Sequence, residues 1–140
     1  MSKDSRAGVG VATRSAGTTE PADAARAAQS AVRNEPDLPE NYAALAAALR
    51  MLAQSLRERN PYGSDQLLHV ACAAAWEAKR MSAQGETSGR TKQEVKILLA
   101  WLRTRNHLAP AEAESFMDQV HSEYLAQALD ESILSPTSEG

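Results

Sequence analysis

The chain has 140 residues, which fits one domain with a hydrophobic core of its own. Hydrophobic residues make up 43% of it and aromatic residues only 4%, alanine is abundant, and no alternating run of apolar and polar residues indicates a strand. The net charge of −3 argues against a global attraction to nucleic acid or acidic membranes, and no stretch approaches the roughly 20 apolar residues of a membrane span.

The N-terminal residues Ser2 to Thr19 are rich in serine, threonine, glycine and arginine and poor in large apolar side chains. This composition predicts a disordered tail over residues 1–18, and a similar tail is predicted over residues 135–140. The N-terminal tail lacks the apolar core of a secretory signal. Loose patterns of this kind also occur in type III secretion signals, and that interpretation stays open. We expect residues 19–134 to form a single helical domain.

The first two predicted helices differ in apolar content. The first runs from about Pro21 to Arg33 and has only Val32 as a larger apolar residue, so we expect little burial and weak docking. The second begins at Asp37, which has capping-box spacing to Glu40. Its large apolar residues follow at steps of three and four, which predicts one stripe facing the core: Tyr42, Leu45, Leu49, Leu52 and Leu56.

The third predicted helix is apolar over a wide arc and has mostly small side chains, which places it at the centre of the fold. We expect Ser64 to cap it, after the turn residues that begin at Asn60, and Gly85 to end it. Cys72 lies within an alanine run, which predicts a buried and unreactive thiol. As the only cysteine it rules out an intramolecular disulfide and fits a reducing cytoplasm.

The fourth predicted helix carries apolar residues on two faces. Thr91 and Glu94 give it a second capping-box spacing. Ile97 and Trp101 form a stripe about 130° from the main one. Such a helix is either sandwiched within a core or bound to a partner. The main stripe consists of Val95, Leu98, Leu99 and Leu102.

The fifth predicted helix starts at Pro110, after a short break, and turns Phe116, Met117, Val120 and Tyr124 toward the core. Because short connections favour antiparallel neighbours, the second and third helices should form one hairpin and the fourth and fifth another. The predicted fold is therefore all-α, a four- to five-helix bundle or orthogonal helical array, with the alanine-rich first helix outside it.

No motif for catalysis, a cofactor or a metal is recognisable. The three histidines, His69, His107 and His121, lack metal-ligand spacing, and no cysteine lies near them in the sequence. No Gly-x-Ser-x-Gly elbow or phosphate-binding loop occurs. We therefore predict a protein that is not an enzyme and needs neither a cofactor nor a metal.

The charges of the last two helices permit two interpretations. Lys92, Lys96 and Arg103 lie within about 40° on the fourth helix, and Arg90 extends the basic character. The structural interpretation is that these cations pair with the acidic fifth helix. The functional alternative is a nucleic-acid-binding regulator that uses Arg90, Lys92, Lys96 and Arg103. The fourth helix would have to make these contacts, because phosphates would repel the acidic fifth helix.

The function that the sequence favours is a non-enzymatic protein-interaction module: a cytoplasmic adaptor, inhibitor or small regulatory subunit. It would dock another protein chain, or a second copy of itself as an oligomer, through an apolar helical face. Ile97, Trp101 and Trp76 are the predicted anchors, because large apolar and aromatic side chains often dominate interfaces. In the competing interpretation the protein's own helices, the first above all, cover Ile97 and Trp101.

Overall fold

The computed structural model describes residues 20–83 and 85–135, which contain helices and no strand. The predicted all-α fold is confirmed, and the predicted tail over residues 1–18 lies outside the described residues. No described helix is long and apolar enough to cross a membrane. In this described part of the chain, five α-helices are followed by two short 3₁₀ turns, Leu125–Gln127 and Glu131–Leu134. The helices are α1 Pro21–Asn34, α2 Pro39–Leu56, α3 Pro61–Met81, α4 Gly89–Asn106 and α5 Pro110–Tyr124.

Proline sets the start of α2 and α3, so two predicted caps are wrong. Pro39 forces Leu38 before it into an extended conformation, and α2 begins there rather than at Asp37. α3 likewise begins at Pro61, where the Asn60 side chain accepts the Gly63 N–H at 3.0 Å. Ser64 does not cap α3; its hydroxyl donates to the Ala53 carbonyl of α2 at 2.7 Å.

α4 begins earlier than its predicted capping box. Ser88 is the cap, and its Oγ accepts the Thr91 N–H at 3.1 Å. Thr91 and Glu94 are both buried, so the spacing that suggested a cap belongs to the interior face of the helix. The predicted start of α5 at Pro110 is confirmed.

α3 lies at the centre of the fold, as its wide apolar arc predicts. Every residue from 70 to 76 is buried, and α2, α4 and α5 all pack against it. α4 runs antiparallel to α3, because Asp65 contacts Arg105 near one end and the Cys72 thiol approaches the Leu98 carbonyl further along. The predicted α2 stripe is confirmed, with Leu45, Leu49, Leu52 and Leu56 all in the core.

α5 packs more on α3 than on α4, which differs from the predicted second hairpin. The chain leaves α4 through His107, whose left-handed backbone (φ 54°) redirects it. From there the polar side chains of α5 reach α3: the Asp118 carboxylate accepts the Trp76 indole N–H at 2.6 Å, and His121 Nε2 lies 2.8 Å from a Glu77 carboxylate oxygen.

The expectation that α1 docks weakly is wrong. Ala25, Gln29 and Val32 are buried, and α1 packs on α2 and on the C-terminal 3₁₀ turn. The Gln29 amide donates to the carbonyls of Ala128 at 2.9 Å and Asp130 at 3.2 Å. Small alanine side chains let the helix approach α2 closely, and the long-range hydrogen bonds supplement the modest apolar burial.

Candidate functional site

A cleft of about 330 Å³ lies between α2, the N-terminal half of α3 and α4. We call it the α2/α3/α4 cleft. Its apolar lining comes from Leu68, Ile97 and Trp101, with the buried Leu98 behind them. Its size is at the lower end for ligand pockets, so it suits one or two inserted side chains rather than a whole small domain.

Two bidentate ion pairs hold the walls of the cleft together. Arg50 of α2 donates to both carboxylate oxygens of Glu94 on α4, each at 2.9 Å. Arg105 of α4 donates to both oxygens of Asp65 on α3, at 2.6 and 2.9 Å. The hydrogen bonds that the two arginines donate to these carboxylates raise the pKa of both guanidinium groups, so both arginines stay charged. The cleft is therefore preformed, and these two pairs neutralise themselves.

Ile97 and Trp101, the two anchors predicted on α4, both line this cleft and are half-buried. The indole of Trp101 meets the imidazole of His69 edge-on, with the ring centroids 5.2 Å apart. Trp101 also packs against the core, whereas Ile97 is not among the described half-buried side chains that do so. Of the two anchors, Trp101 is thus the one that the core supports directly.

His69 supports Trp101 from behind, a role that the sequence did not reveal. Its ring is buried, stacks on Tyr124 at 5.0 Å and has Nδ1 at 2.8 Å from the Asp65 carbonyl oxygen. These contacts fix the ring orientation and therefore the position of the indole in front of it. The i and i+4 spacing of Asp65 and His69 was the available signal, but Tyr124 comes from a distant helix.

Trp76, the third predicted anchor, lies away from the cleft. It is only 5% exposed, and Asp118 and Lys79 cover it, the latter with its ammonium 4.4 Å from the ring centroid. Trp76 is therefore a core residue in this structure and not part of an accessible face. The sequence placed it further round the wide apolar arc of α3 but could not show that α5 folds over it.

The cations predicted on α4 do not pair with α5. Arg90, Lys92 and Lys96 are exposed, and Arg103 is half-buried. Within residues 20–83 and 85–135, no ion pair joins α4 to α5, so the predicted pairing across that hairpin is wrong. The acidic α5 turns to α3 instead, where Asp118 lies 3.6 Å from Arg80.

Two kinds of reactive centre can be checked among the described residues. They contain no group of three or more His, Cys, Asp or Glu side chains placed to hold a metal ion. Burial raises the pKa of the Cys72 thiol to about 12, so the nucleophilic thiolate is not populated at neutral pH. The cleft instead offers apolar surface beside positive charge, which suits a complementary side chain.

Comparison with protein-family models, with curated protein sequences and with solved structures finds no match.

Proposed function

We propose that this chain is a non-enzymatic protein-interaction module, an adaptor, inhibitor or small regulatory subunit of the cytoplasm. It docks a protein partner in the α2/α3/α4 cleft. The observation that carries the proposal is the position of Ile97 and Trp101, which remain half-buried and line a preformed cleft. A large apolar side chain that the fold leaves accessible is typical of a binding surface.

The position of α1 supports this proposal against the competing interpretation. α1 packs on α2 and the C-terminal turn, and none of its residues lines the cleft. It therefore does not act as the cover that would make Ile97 and Trp101 ordinary core residues. Two large apolar side chains that follow cleft-lining residues in the sequence are also exposed. Met51, after Arg50, is 58% exposed, and Tyr62, after Pro61, is 89% exposed.

Photo-crosslinking from position 97 tests the proposal. A benzophenone amino acid replaces Ile97 in the full chain, and irradiation in the native cell should trap a protein adduct that mass spectrometry identifies. The same amino acid in place of Glu114, an exposed residue of α5, is the matched control. The adduct should disappear when Trp101→Ala is added. No adduct, or equal adducts from both positions, would contradict the proposal.

A nucleic-acid-binding regulator is the second candidate function. It is favoured by Arg90, Lys92 and Lys96, which have no ion-pair partner among the described residues. Phosphate contacts would make affinity for duplex DNA or RNA fall steeply with salt. Gel-shift titrations of the wild type and of the Lys92→Glu/Lys96→Glu variant at two salt concentrations test this second function. Binding that is weakened neither by salt nor by the two substitutions would exclude it.

A further inference from the structure

We infer that the α2/α3/α4 cleft receives the α1–α2 loop of a second copy of this chain, so that copies associate head to tail. The inference rests on the cleft assigned under the proposed function. It begins from Leu38, which is 45% exposed in the loop between α1 and α2. Leu38 is one of three large apolar residues that the described part of the chain leaves exposed.

The loop surrounds Leu38 with negative charge. Glu35 and Asp37 precede it and Glu40 follows it, and all three are exposed. No ion pair to any of these carboxylates occurs among the described residues. The loop therefore presents a projecting apolar side chain with uncompensated acidic groups on both sides.

The cleft presents the complementary pattern. Its apolar lining is flanked by Arg57, which is exposed at the end of α2. Arg90 lies outside the lining, about two helical turns before Ile97 on the same stripe of α4. Neither arginine has an ion-pair partner in residues 20–83 and 85–135. Among the charged residues that line the cleft, Arg57 is the one without an ion-pair partner in the described part of the chain.

The volume of the cleft fits the projecting leucine. A volume of about 330 Å³ accommodates one or two apolar side chains but not a folded element. Burial of Leu38 against Trp101 and Ile97 supplies the hydrophobic contribution, and the rim charges select the orientation. We expect weak association, because an interface formed by one loop is smaller than that of a stable dimer.

The loop cannot fill the cleft of its own molecule. Leu38 precedes α2, whereas Gln54 and Arg57 line the cleft near the other end of that helix. Arg50 is the cleft residue of α2 nearest to Leu38, and the twelve-residue step between them corresponds to about 18 Å along the helix. Because the two contacting surfaces differ, each copy keeps one free loop and one free cleft, and copies add in chains or rings.

A complementation experiment tests this arrangement in the full chain. Leu38→Asp removes the projecting side chain and leaves the cleft intact, whereas Arg57→Glu/Arg90→Glu reverses the charge of the two arginines without ion-pair partners and leaves the loop intact. All three positions are exposed, so the variants should fold as judged by circular dichroism and thermal unfolding. Arg59→Glu, an exposed charge reversal outside the cleft lining, is the control.

We expect the average mass of the wild type and of Arg59→Glu to rise above 15.0 kDa with concentration, up to about 1 mM, in sedimentation and light scattering. Each of the other two variants should associate about tenfold more weakly or more. Their equimolar mixture should give a complex of two chains and no larger species, because only one loop and one cleft are functional.

Three results would overturn the inference: a wild type that stays at 15.0 kDa throughout, a Leu38→Asp variant that associates like the wild type, or a mixture that stays monomeric. If position 97 still crosslinks to a different protein in any of these cases, the inference fails while the proposed function stands. If position 97 crosslinks to nothing, both fail.

Discussion

The two tryptophans show how differently one residue type can be used in this fold. Trp76 is 5% exposed, and its indole N–H is satisfied by Asp118, so it stabilises the packing of α5 on α3. Trp101 packs against His69 on one side and faces the α2/α3/α4 cleft on the other. A partner that binds in the cleft should therefore perturb the spectroscopic signals of Trp101 and leave those of Trp76 nearly unchanged.

Cys72 gives the protein a measurable pH dependence. The thiol ionises near its ordinary pKa of 9.0 in the unfolded chain, whereas burial raises its pKa to about 12 in the folded protein. Above pH 9 the unfolded state therefore binds fewer protons than the folded state. The contribution of the buried thiol to stability is complete below that pH and is lost above it. The free energy of unfolding should fall above it by up to about 1.4 kcal/mol per pH unit.

Urea unfolding between pH 8 and 10 in the wild type and in Cys72→Ala measures this effect, and the decline should be smaller in the variant. Burial also raises the pKa of Tyr42 from 10.0, so its own contribution to the decline begins above that pH. Equal slopes for the two proteins below pH 10 would show that the thiol is not protected as the structure indicates.

Among the elements, α2 and α4 are joined by a polar contact as well as by the core. The side chains of Arg50 and Glu94 are 19% and 8% exposed, and their bidentate geometry is favourable. The pair between Arg105 and Asp65 has similar geometry but is 42% and 36% exposed. The structure thus contains a sheltered ion pair and an exposed one of the same chemistry on one helix.

We expect Arg50→Met to destabilise the protein by about 2–4 kcal/mol, because it leaves the Glu94 carboxylate buried without its partner. In a double-mutant cycle with Glu94→Gln, the coupling energy should be about 1–3 kcal/mol. The matched cycle on Arg105 and Asp65 should give at most about 1 kcal/mol, since solvent screens that pair. Equal coupling energies from chemical unfolding would contradict the difference in burial.

Helix positions and core stripes were predictable because they depend on local spacing. The steps of three and four in α2, and the main stripe of α4, place Leu49 and Leu98 in the core as predicted. The caps were less predictable, because Pro39 and Ser88 compete with nearby residues for the same role. The cleft was only half predictable: Ile97 and Trp101 follow from helical periodicity, but the charges around them depend on which helices meet.

At the scale of the whole molecule, the first and last described elements close the fold together. Gln29 of α1 is fully buried and donates to two carbonyls near the C-terminal turn. Arg33 of α1 also donates to the Leu129 carbonyl, and Leu134 is only 2% exposed. This closure was not predictable from the sequence, because it joins residues about a hundred positions apart and α1 contains almost no large apolar side chain.

Two truncations separate this closure from the predicted C-terminal tail. Removal of residues 136–140 should change the free energy of unfolding by less than about 0.5 kcal/mol, as expected for positions of that composition. Removal of residues 131–140 deletes the buried Leu134 and should cost about 2–5 kcal/mol. Thermal and urea unfolding provide the measurement, and a similar stability for both truncations would mean that the C-terminal turn does not contribute to the core.

The hydrogen bonds of Gln29 also have a consequence for how the protein is made. Its nearest acceptor, the Ala128 carbonyl, is 99 residues further along the chain. A ribosome that adds roughly 5–20 residues per second produces that acceptor about 5–20 s after Gln29 itself. The part of α1 that meets the C-terminal turn therefore lacks its partner until Ala128 is made, although α2 already packs on α1 by then. In a nascent chain stalled before Ala128, the Gln29 amide would lack both of its carbonyl acceptors.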